Sequence, residues 1–470
     1  MTPRRTRIIC TLGPASSSRA IIRALLTAGM DVARINFSHG DEAQHRAAVE
    51  AVRSVARAMG RHVALVQDLQ GPKIRTGRLR GAPVRLRRGD PVQLTARDLI
   101  GDASVIPVSH RAFITALGPD EKILLADGEI ELRARSVKGP DAECVVVRGG
   151  LLGERKGVTA PNCTVRLPAL TEKDLSDLKL GAELGFDYVA LSFVRSQEDL
   201  VACRRAMRAI GWDAPLIAKL ERPQALSHLD DILSEAEAVM VARGDLGVEL
   251  SLAEVPAAQK DIIDRSNRRG VPVITATEML ESMVTSNRPT RAEASDVANA
   301  IWDGTDAVML SQETSVGAHP VESVRAMAAI CRAAESHPAY QRTRPVWTEP
   351  GSVGAAIAHS AAAVAKELDA AVIIAFTETG STALRVSKAN PTVPIIAASP
   401  HPESLRRTAL YAGVVPLFVE HGTDTDDLIA KVVAAARKTR LVNRGDRVVI
   451  VAGVAAQPGQ TNLLKVVTVQ

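Results

Sequence analysis

A lysine and a glutamate separated by one residue, Lys219 and Glu221, end a short apolar run. Residues i and i+2 of an extended segment share a face, so the ammonium and the carboxylate project to the same side. An ordinary surface ion pair has the same pattern. A second carboxylate, Asp245, lies after the next apolar run, in residues 240–249 (MVARGDLGVE), whose glycines let backbone N–H groups approach an anion. Two carboxylates with positions left for substrate oxygens and water suit Mg²⁺.

Residues 34–40 (RINFSHG) contain a second set of groups for binding ions. Arg34 is able to grip a phosphate with two parallel N–H donors. Asn36 and Ser38 alternate onto one face and, together with Asp68, offer oxygens for a monovalent cation. His39 in such a place is also a common structural hydrogen-bonding residue.

Thr277 ends a further apolar run and offers a hydroxyl to the same region. Threonine at such a position is also a common helix cap. The sequence leaves both roles open.

The elements that must position these groups are eight short apolar strands separated by amphipathic helical segments. Their interiors are continuously apolar, which is typical of parallel strands buried on both faces. Eight βα units predict a (β/α)₈ TIM barrel, whose active site lies at the carboxyl ends of the strands. We predict the strands at residues 6–11, 31–36, 63–68, 187–192, 216–219, 238–242, 271–275 and 307–310.

Two regions do not fit the barrel repeat. The gap between the third and fourth strands is too long for one helix and contains alternating strand-like segments, which predicts an inserted small β-barrel domain at residues 72–167, able to act as a lid. The barrel then comprises residues 1–71 and 168–340. After a proline-rich stretch, residues 341–470 predict a C-terminal α/β domain with a parallel sheet. Its strands are expected at residues 371–376, 394–398, 413–418, 447–452 and 464–469.

The composition excludes several classes of protein. The 470 residues include 58 Lys+Arg and 53 Asp+Glu, a net charge of +5, with 46% hydrophobic residues. No uncharged apolar run reaches about 18 residues, so we expect no membrane span. Five scattered cysteines indicate neither a disulfide framework nor a zinc site and fit a reducing cytoplasm. The 6 Phe, 3 Trp and 3 Tyr do not cluster with basic residues, which disfavours nucleic-acid binding.

Lysine is scarce in this chain. Only 13 of the 58 basic residues are lysines and 45 are arginines. A lysine inside a motif is therefore more informative than an arginine. We expect one basic cluster to be directed at phosphates, namely Arg34, Lys73, Arg75, Lys156 and Lys219. The remaining arginines are expected to lie on the solvated surface.

Taken in chain order, several segments resemble those of pyruvate kinases, and the resemblance extends from Thr6 to the C-terminus. These segments are RINFSHG, DLQGPKIRTG, KGV, AKLE, MVARGDLGVE, ATEMLESM, PTRAEASDVANA and DGTDAVMLSQET. The resemblance implies transfer of the phosphoryl group of phosphoenolpyruvate to ADP, giving pyruvate and ATP in the last step of glycolysis. It implies Mg²⁺ or Mn²⁺ as cofactor, an allosteric effector and a homotetramer.

The resemblance also implies roles for individual residues. Lys219 and Arg34 match the groups that hold the transferring phosphoryl group, and Thr277 matches the threonine near the carbon that is protonated. Glu221 and Asp245 match the metal ligands, and the backbone at Gly244 and Asp245 matches the carboxylate-binding turn. The nucleotide-contacting positions are Asn36, Phe37, Ser38, His39, Arg75 and Lys156, and the monovalent-cation positions are Asn36, Ser38, Asp68 and Leu69.

Three residues depart from the family pattern. Lys73 stands where many members have glutamate, and in the family lysine there accompanies independence from K⁺. A tethered ammonium is able to replace the charge of the mobile cation, so we predict K⁺-independent activity. Gln312 stands where glycine is usual, which raises the question of whether that turn needs a positive φ. Glu278 stands where glutamine is common, and we expect only a local adjustment.

A hydroxyl- and glycine-rich turn in the C-terminal region resembles the family's effector-phosphate loop. It comprises Thr377, Glu378, Thr379, Gly380, Ser381 and Thr382 and follows the apolar run AVIIAF. Such a turn before a helix binds phosphate, although ordinary helix capping has the same composition. We predict a phosphorylated effector, a sugar phosphate or AMP.

Two other functions are consistent with parts of the sequence. A lyase of the phosphoenolpyruvate/pyruvate barrel class would use the same metal and carboxylates, but such lyases lack the inserted domain and the RINFSHG segment. A non-catalytic relative that binds metabolites would require a broken site, whereas Lys219 and both metal carboxylates are present.

Overall fold

A closed barrel of eight parallel strands forms the centre of the molecule in the computed structural model, which describes residues 4–161, 163, 165, 167–340, 347–453 and 461–470. All eight predicted strands are confirmed within two residues. Around the barrel the order is β1-β16-β15-β14-β13-β12-β3-β2. The strands are β1 (Arg7–Leu12), β2 (Val32–Asn36), β3 (Ala64–Asp68), β12 (Tyr188–Leu191), β13 (Leu216–Leu220), β14 (Ala238–Ala242), β15 (Val273–Ala276) and β16 (Ala307–Leu310).

Helices surround the barrel and bury one apolar face each against it. Three of them begin with reciprocal caps, in which Asp41, Thr171 and Thr290 accept backbone N–H bonds from the third helical residue. The helices are α1 (Arg19–Ala28), α2 (Glu42–Ala58), α4 (Glu172–Leu184), α5 (Gln197–Ala209), α6 (Pro223–Ser227), α7 (Leu229–Glu235), α8 (Arg243–Glu249), α9 (Val255–Arg268), α10 (Arg291–Asp303), α11 (Gln312–Ser315) and α12 (Pro320–Ser336). Short 3₁₀ turns occupy Pro14–Ser16 and Glu281–Val284.

The segment between β3 and α4 forms its own β-structure with a separate core around Leu94, Phe113 and Leu132. A six-stranded sheet has the order β11-β7-β8-β9-β5-β6, and β4 pairs with β10. Its pairs are antiparallel except for β5 with β6. The elements are β4 (Val84–Leu86), β5 (Pro91–Thr95), β6 (Val105–Pro107), α3 (Arg111–Ala116), β7 (Lys122–Leu125), β8 (Ile130–Lys138), β9 (Asp141–Arg148), β10 (Gly150–Leu152) and β11 (Val158–Thr159).

The C-terminal region is a five-stranded sheet of order β19-β18-β17-β20-β21 with helices on its faces. The prediction of a parallel sheet is wrong for the last strand, since β21 pairs antiparallel with β20. The connection between them is too short for the crossover that a parallel neighbour requires. The elements are α13 (Val353–Glu367), β17 (Val372–Phe376), α14 (Ser381–Lys388), β18 (Ile395–Ser399), α15 (Pro402–Thr408), β19 (Val414–Phe418), α16 (Thr425–Lys438), β20 (Arg447–Ala452) and β21 (Leu463–Thr468).

The C-terminal region packs against the amino-terminal ends of the barrel strands through buried basic groups. Lys388 Nζ lies 2.7 Å from Asp306 Oδ2, and both side chains are almost fully buried. Arg406 Nε lies 2.8 Å from Asp187 Oδ1. Arg7 in β1 donates to the carbonyl of Tyr411 at 2.9 Å. The expectation that the remaining arginines are solvated is therefore wrong for this junction.

Two further features concern membrane association and thiol chemistry. Within the described ranges, no helix combines the length and the apolar composition needed to cross a bilayer. The five cysteines are buried free thiols: Cys10, Cys144, Cys163, Cys203 and Cys331.

Candidate active site at the carboxyl ends of the barrel strands

Five polar side chains from four strand ends meet in a buried network. Lys219 in β13 lies 3.1 Å from Asp68 Oδ1 and 2.9 Å from Glu221 Oε1. It also donates to Ser192 Oγ at 2.7 Å. Arg34 in β2 holds the other oxygen of Asp68 at 2.6 Å. The structure thus brings together the lysine, arginine and carboxylates that the sequence selected, and the Lys219–Glu221 pair is buried rather than a surface ion pair.

Charge pairing sets the protonation of this network. Burial raises the pKa of the Asp68 carboxyl, but Arg34 and Lys219 outweigh that effect, so its pKa is lowered overall. Burial lowers the pKa of the Lys219 ammonium, but Asp68 and Glu221 outweigh it and the pKa is raised. At neutral pH the site therefore holds a fixed ammonium where a negatively charged group would bind.

Glu221 and Asp245 are two neighbouring carboxylates whose negative charges are only partly neutralised. Glu221 accepts from Phe193 N at 2.8 Å, and its side chain is only 1% exposed. Burial raises the pKa of Glu221, Lys219 opposes that effect and Asp245 adds to it, so the pKa is raised. Asp245, in the first turn of α8, is 37% exposed. A divalent cation would relieve this repulsion, and hard carboxylate oxygens are its preferred ligands.

The donor set fits a metal that also takes oxygens from its substrate. Among the described residues, no cluster of three or more histidine, cysteine or acidic side chains is arranged as a metal site. Two carboxylates with open positions are what Mg²⁺ uses when water and substrate complete its shell.

Thr277 follows β15 and contacts the turn that carries Asp245. Its Oγ1 accepts from Gly244 N at 2.7 Å and donates to the carbonyl of Ala276 at 2.6 Å. The residue has φ +67° and is not the N-cap residue of any described helix, but its hydroxyl accepts a first-turn N–H of α8, so it caps that helix from another segment. The hydroxyl is only partly buried and lies at the mouth of the barrel.

Lys73 forms its ion pairs with two aspartates outside the predicted monovalent-cation set. Its ammonium is 3.5 Å from Asp245 Oδ1 and 3.7 Å from Asp127 Oδ1, a residue of the inserted segment. At the predicted cation positions, Ser38 N donates to Asn36 Oδ1 at 3.0 Å and Ser192 Oγ donates to the Leu69 carbonyl at 2.7 Å. The positive charge of Lys73 is therefore directed at Asp245, one of the two predicted metal ligands, and at Asp127.

The predicted nucleotide residues occupy the rim of the barrel and the base of the insertion. Asn36, Ser38 and His39 are partly or fully exposed there. Phe37 is completely buried and stacks on His45 with ring centroids 4.0 Å apart. Its N–H donates to the Asp68 carbonyl at 2.9 Å and its carbonyl accepts from Lys173 Nζ at 2.7 Å, so its backbone is also paired. The backbone of Arg75 forms an isolated antiparallel β-bridge with Gly157, which follows the exposed Lys156.

The inserted segment covers one side of the site. Thr159 Oγ1 donates to Glu249 Oε1 at 2.5 Å, across to α8. Gly128 lies against Val248. Between the two surfaces is a narrow cleft, partly open to solvent and lined by Lys73, Glu221 and Asp245.

Gln312 and Glu278 are the two other residues that depart from the family pattern. Gln312 starts α11 without a positive φ, so glycine is not required there. Glu278 is exposed and has φ +54°.

In the C-terminal turn, Gly380 has φ +98° and its N–H donates to Thr377 Oγ1 at 2.8 Å. Glu378 pairs with His401 at 2.6 Å, and the hydroxyls of Thr382 and Thr461 lie 2.9 Å apart. Most of the neighbouring loop, residues 454–460, lies outside the described residues.

Three residues of the site were not selected as candidates from the sequence: Thr11, Ser192 and Arg243. Thr11 accepts from Arg34 at 2.9 Å and Ser192 accepts from Lys219. Each of the three lies at or directly after the carboxyl end of a barrel strand. That position was the signal available for finding them.

Comparison with known proteins gives one consistent result. Residues 3–324 match the family model "Pyruvate kinase, barrel domain" and residues 355–467 match "Pyruvate kinase, alpha/beta domain". The chain is 43% identical over 466 residues to a pyruvate kinase of Mycobacterium intracellulare, covering 98% of each chain. It is 42% identical to pyruvate kinase 2 of Synechocystis, covering 100% of this chain and 80% of the relative. The crystal structure of a Cryptosporidium parvum pyruvate kinase superimposes with a TM-score of 0.93 at 36% identity, covering 99% and 96% of the two chains.

Proposed function

The chain belongs to the pyruvate kinase family, a family of phosphotransferases, and we propose from its geometry how it transfers the phosphoryl group of phosphoenolpyruvate to ADP. Phosphoryl transfer depends on positioning and on charge neutralisation more than on covalent chemistry. Lys219 and Arg34 supply two fixed positive charges for the transferring group. Their shared anchor, Asp68, keeps both side chains at the mouth of the barrel.

Glu221 and Asp245 would hold the divalent cation, Mg²⁺ or Mn²⁺. When bound, the metal polarises substrate oxygens and neutralises negative charge that develops on them. The raised pKa of Glu221 supports this assignment, because an added positive charge would offset the burial and the repulsion from Asp245. The backbone at Gly244 and Asp245 would bind the substrate carboxylate at the start of α8, with the N–H of Asp245 as the donor, since that of Gly244 is bonded to Thr277 Oγ1.

Thr277 would act, together with water, beside the carbon of enolpyruvate that receives a proton. ADP would lie across the rim residues Asn36 to His39, with Arg75 and Lys156 reaching its phosphates from the insertion. The contacts between the insertion and α8 support a lid that excludes water during transfer. Of the rim residues, Phe37 would hold the rim in place through its buried ring, because its backbone groups already pair with Asp68 and Lys173.

The single observation that carries the proposal is the meeting of Lys219, Arg34 and the Glu221–Asp245 pair at one end of the barrel. The test is ATP and pyruvate formation from phosphoenolpyruvate and ADP, followed by oxidation of NADH through lactate dehydrogenase. Turnover that requires both substrates and a divalent cation is expected. Cleavage of a carbon–carbon bond without consumption of ADP would favour the lyase instead.

We further propose that activity is independent of K⁺. Lys73 supports this proposal because its tethered ammonium already brings a positive charge to within 3.5 Å of Asp245. Turnover in K⁺-free Tris buffer should be close to that with K⁺, and Lys73→Glu should become dependent on K⁺. Strong activation of the wild type by K⁺ would contradict the proposal.

We propose that the turn of residues 377–382 binds a phosphorylated effector. The hydroxyl-rich turn at the start of α14 supports this proposal. The turn also carries the Glu378–His401 pair, so its charge differs from that of a purely basic phosphate site. A thermal-shift and kinetic screen of sugar phosphates and AMP tests it. A response that is lost in Thr382→Glu is expected. No response to any of these compounds, with unchanged kinetics in the variant, would exclude a working site.

We propose three functional units, namely the barrel (1–71 and 168–340), the lid (72–167) and the C-terminal domain (341–470). Their separate apolar cores support this division. Family membership supports a homotetramer, which size-exclusion chromatography with light scattering would test. The five free thiols and the glycolytic reaction support a cytoplasmic location.

A further inference from the structure

Thr277 and Glu278 adopt a backbone conformation that side chains disfavour. Their φ values are +67° and +54°, two successive non-glycine residues in the left-handed region. Each such residue costs of the order of 1–3 kcal/mol and persists only where its surroundings hold it. The hydroxyl of Thr277 is thus positioned by contacts outside its own strand.

The guanidinium of Arg243 supplies those contacts. Its Nη2 donates to the carbonyl of Thr277 at 2.9 Å, and its Nε reaches the same oxygen at 3.3 Å. Nη2 also reaches the carbonyl of Glu278 at 3.3 Å and Met279 Sδ at 2.9 Å. One planar group therefore grips three successive residues of the strained turn.

The same guanidinium is anchored to the outer helices. Its Nη1 lies 2.6 Å from Asp296 Oδ2 in α10 and 3.4 Å from Gln259 Oε1 in α9. The Arg243 side chain is 10% exposed. Lysine cannot reproduce this arrangement, because a single ammonium lacks the planar fork of donors that reaches both sides at once.

Arg243 also belongs to the segment that carries the metal carboxylate. Its neighbour Gly244 donates its N–H to Thr277 Oγ1 at 2.7 Å, and Asp245 follows. Residues 243–245 and 277–279 are therefore fastened to each other twice, once through the guanidinium and once through the hydroxyl. A change at Arg243 alters the direction in which the Thr277 hydroxyl points.

We propose that Arg243 is a positioning residue for the protonation step, acting through Thr277. The inference rests on the proposed role of Thr277 and extends it to a residue that touches no reacting atom. Loss of the guanidinium lets the turn relax and moves the hydroxyl away from the methylene carbon. Displacement by about 1 Å is enough to cost about 100-fold in rate.

The experiment compares Arg243→Lys with a matched control, Arg268→Lys, an exposed arginine of α9 that pairs with Asp264. The protonation step is measured in reverse, as exchange of the pyruvate methyl hydrogens for deuterium in D₂O with Mg²⁺ and ATP present. Arg243→Lys should lower the exchange rate and kcat together by about 100-fold. The KM for phosphoenolpyruvate should change by less than about threefold, and the control should match the wild type.

Two further variants separate positioning from loss of structure. Asp296→Asn removes the anchor of the guanidinium and leaves every group near the substrate in place, so it should reduce exchange by about tenfold. In a Thr277→Ala background, Arg243→Lys should add less than about threefold, because both changes act through one hydroxyl.

The inference is overturned if Arg243→Lys exchanges the pyruvate methyl hydrogens at the wild-type rate, or if it lowers that rate by the full 100-fold in the Thr277→Ala background. Neither result contradicts the proposed phosphoryl transfer. A wild-type enzyme that makes no ATP from phosphoenolpyruvate and ADP overturns the proposed function as well.

Discussion

At the amino-terminal end of the barrel, three aspartates precede strands and are saturated with partners. Each accepts a backbone N–H from the neighbouring strand, namely Ile8 N for Asp31, Leu65 N for Asp187 and Val273 N for Asp306. Each also pairs with basic side chains, including Lys388 and Arg406 of the C-terminal region. Buried charges satisfied in this way hold two units of the molecule in one arrangement.

At the carboxyl end, carboxylates follow strands and retain capacity for further partners. Asp245 is 37% exposed and meets the Lys73 ammonium only at 3.5 Å. Glu221 is buried beside it with a raised pKa. The same side-chain types thus stabilise one end and leave the other able to bind a cation and an anion. Binding capacity, rather than burial or charge alone, distinguishes the active end.

The largest effect on stability is expected from Lys388→Met at the saturated end. The change leaves Asp306 buried without its ammonium, which should lower the free energy of unfolding by about 3–5 kcal/mol. Urea denaturation measures it, with the exposed Lys366→Met in α13 as the matched control. A loss below about 1 kcal/mol would show that the junction is not stabilised by its charges.

Lys219→Met at the active end should affect turnover more than structure. Removing a donor that stabilises the developing charge should lower kcat by about 10²–10³-fold, or roughly 2.7–4 kcal/mol. Arg34 still pairs with Asp68, but the buried Glu221 loses its ammonium, so stability should fall. The fall should be smaller than for Lys388→Met, because the raised pKa of Glu221 lets its carboxylate take up a proton. Steady-state kinetics and thermal melting, measured on the same preparation of Lys219→Met, test both expectations. Unchanged kcat would remove Lys219 from the reaction.

Asp31 should make the saturated end sensitive to acid. Burial raises the pKa of its carboxyl, but Arg4 and Arg7 outweigh burial and the pKa is lowered overall. Because the pKa of Asp31 is lower in the folded state, its ionised carboxylate stabilises the fold at every pH above its unfolded-state pKa of about 3.9. That stabilisation is lost as the pH falls through the folded-state pKa. Asp31→Asn should cost about 1.5–3 kcal/mol at pH 7.

Melting temperatures measured from pH 7 to pH 2 test this sensitivity. The difference between wild type and Asp31→Asn should shrink as the pH falls. A difference that stays constant throughout would rule out the charged pair as its source.

Glu221→Gln should have the smallest effect on stability. Because the folded state raises the pKa of Glu221, the ionised carboxylate destabilises the fold at neutral pH, and that cost decreases as pH falls. A neutral amide keeps the shape and accepts from Phe193 N. The free energy of unfolding should therefore fall by less than about 1 kcal/mol or rise, as in other trade-offs between stability and function. A fall of about 3 kcal/mol or more would place Glu221 among the structural carboxylates.

The sequence was most informative about the barrel and the active end. The strand interiors are continuously apolar, so their positions follow from hydrophobicity alone, within two residues of the observed bounds. Lys219, Glu221 and Asp245 were recognisable because strand ends of a barrel converge. The strained turn at Thr277 was not predictable, because its φ depends on contacts from Arg243 in another βα unit.

The saturated end was missed for a different reason. Lys388 and Asp306 are separated by 82 positions in the chain, and Arg406 and Asp187 by 219. No local pattern connects such partners, and 45 arginines form a background in which a buried one does not stand out. The scarcity of lysine was an available signal, since Lys388 is one of only 13. The position of Lys73 beside Asp245 likewise depended on how the inserted segment packs on the barrel, which the sequence does not show.

The most direct test of the account is the rate of ATP formation from phosphoenolpyruvate and ADP as a function of Mg²⁺ concentration, for the wild type and Asp245→Asn. Saturable activation of the wild type by Mg²⁺ is expected, with loss of that saturation in the variant and an unchanged melting temperature. Absence of ATP formation by the wild type at every Mg²⁺ concentration, or full activity of Asp245→Asn, would contradict it.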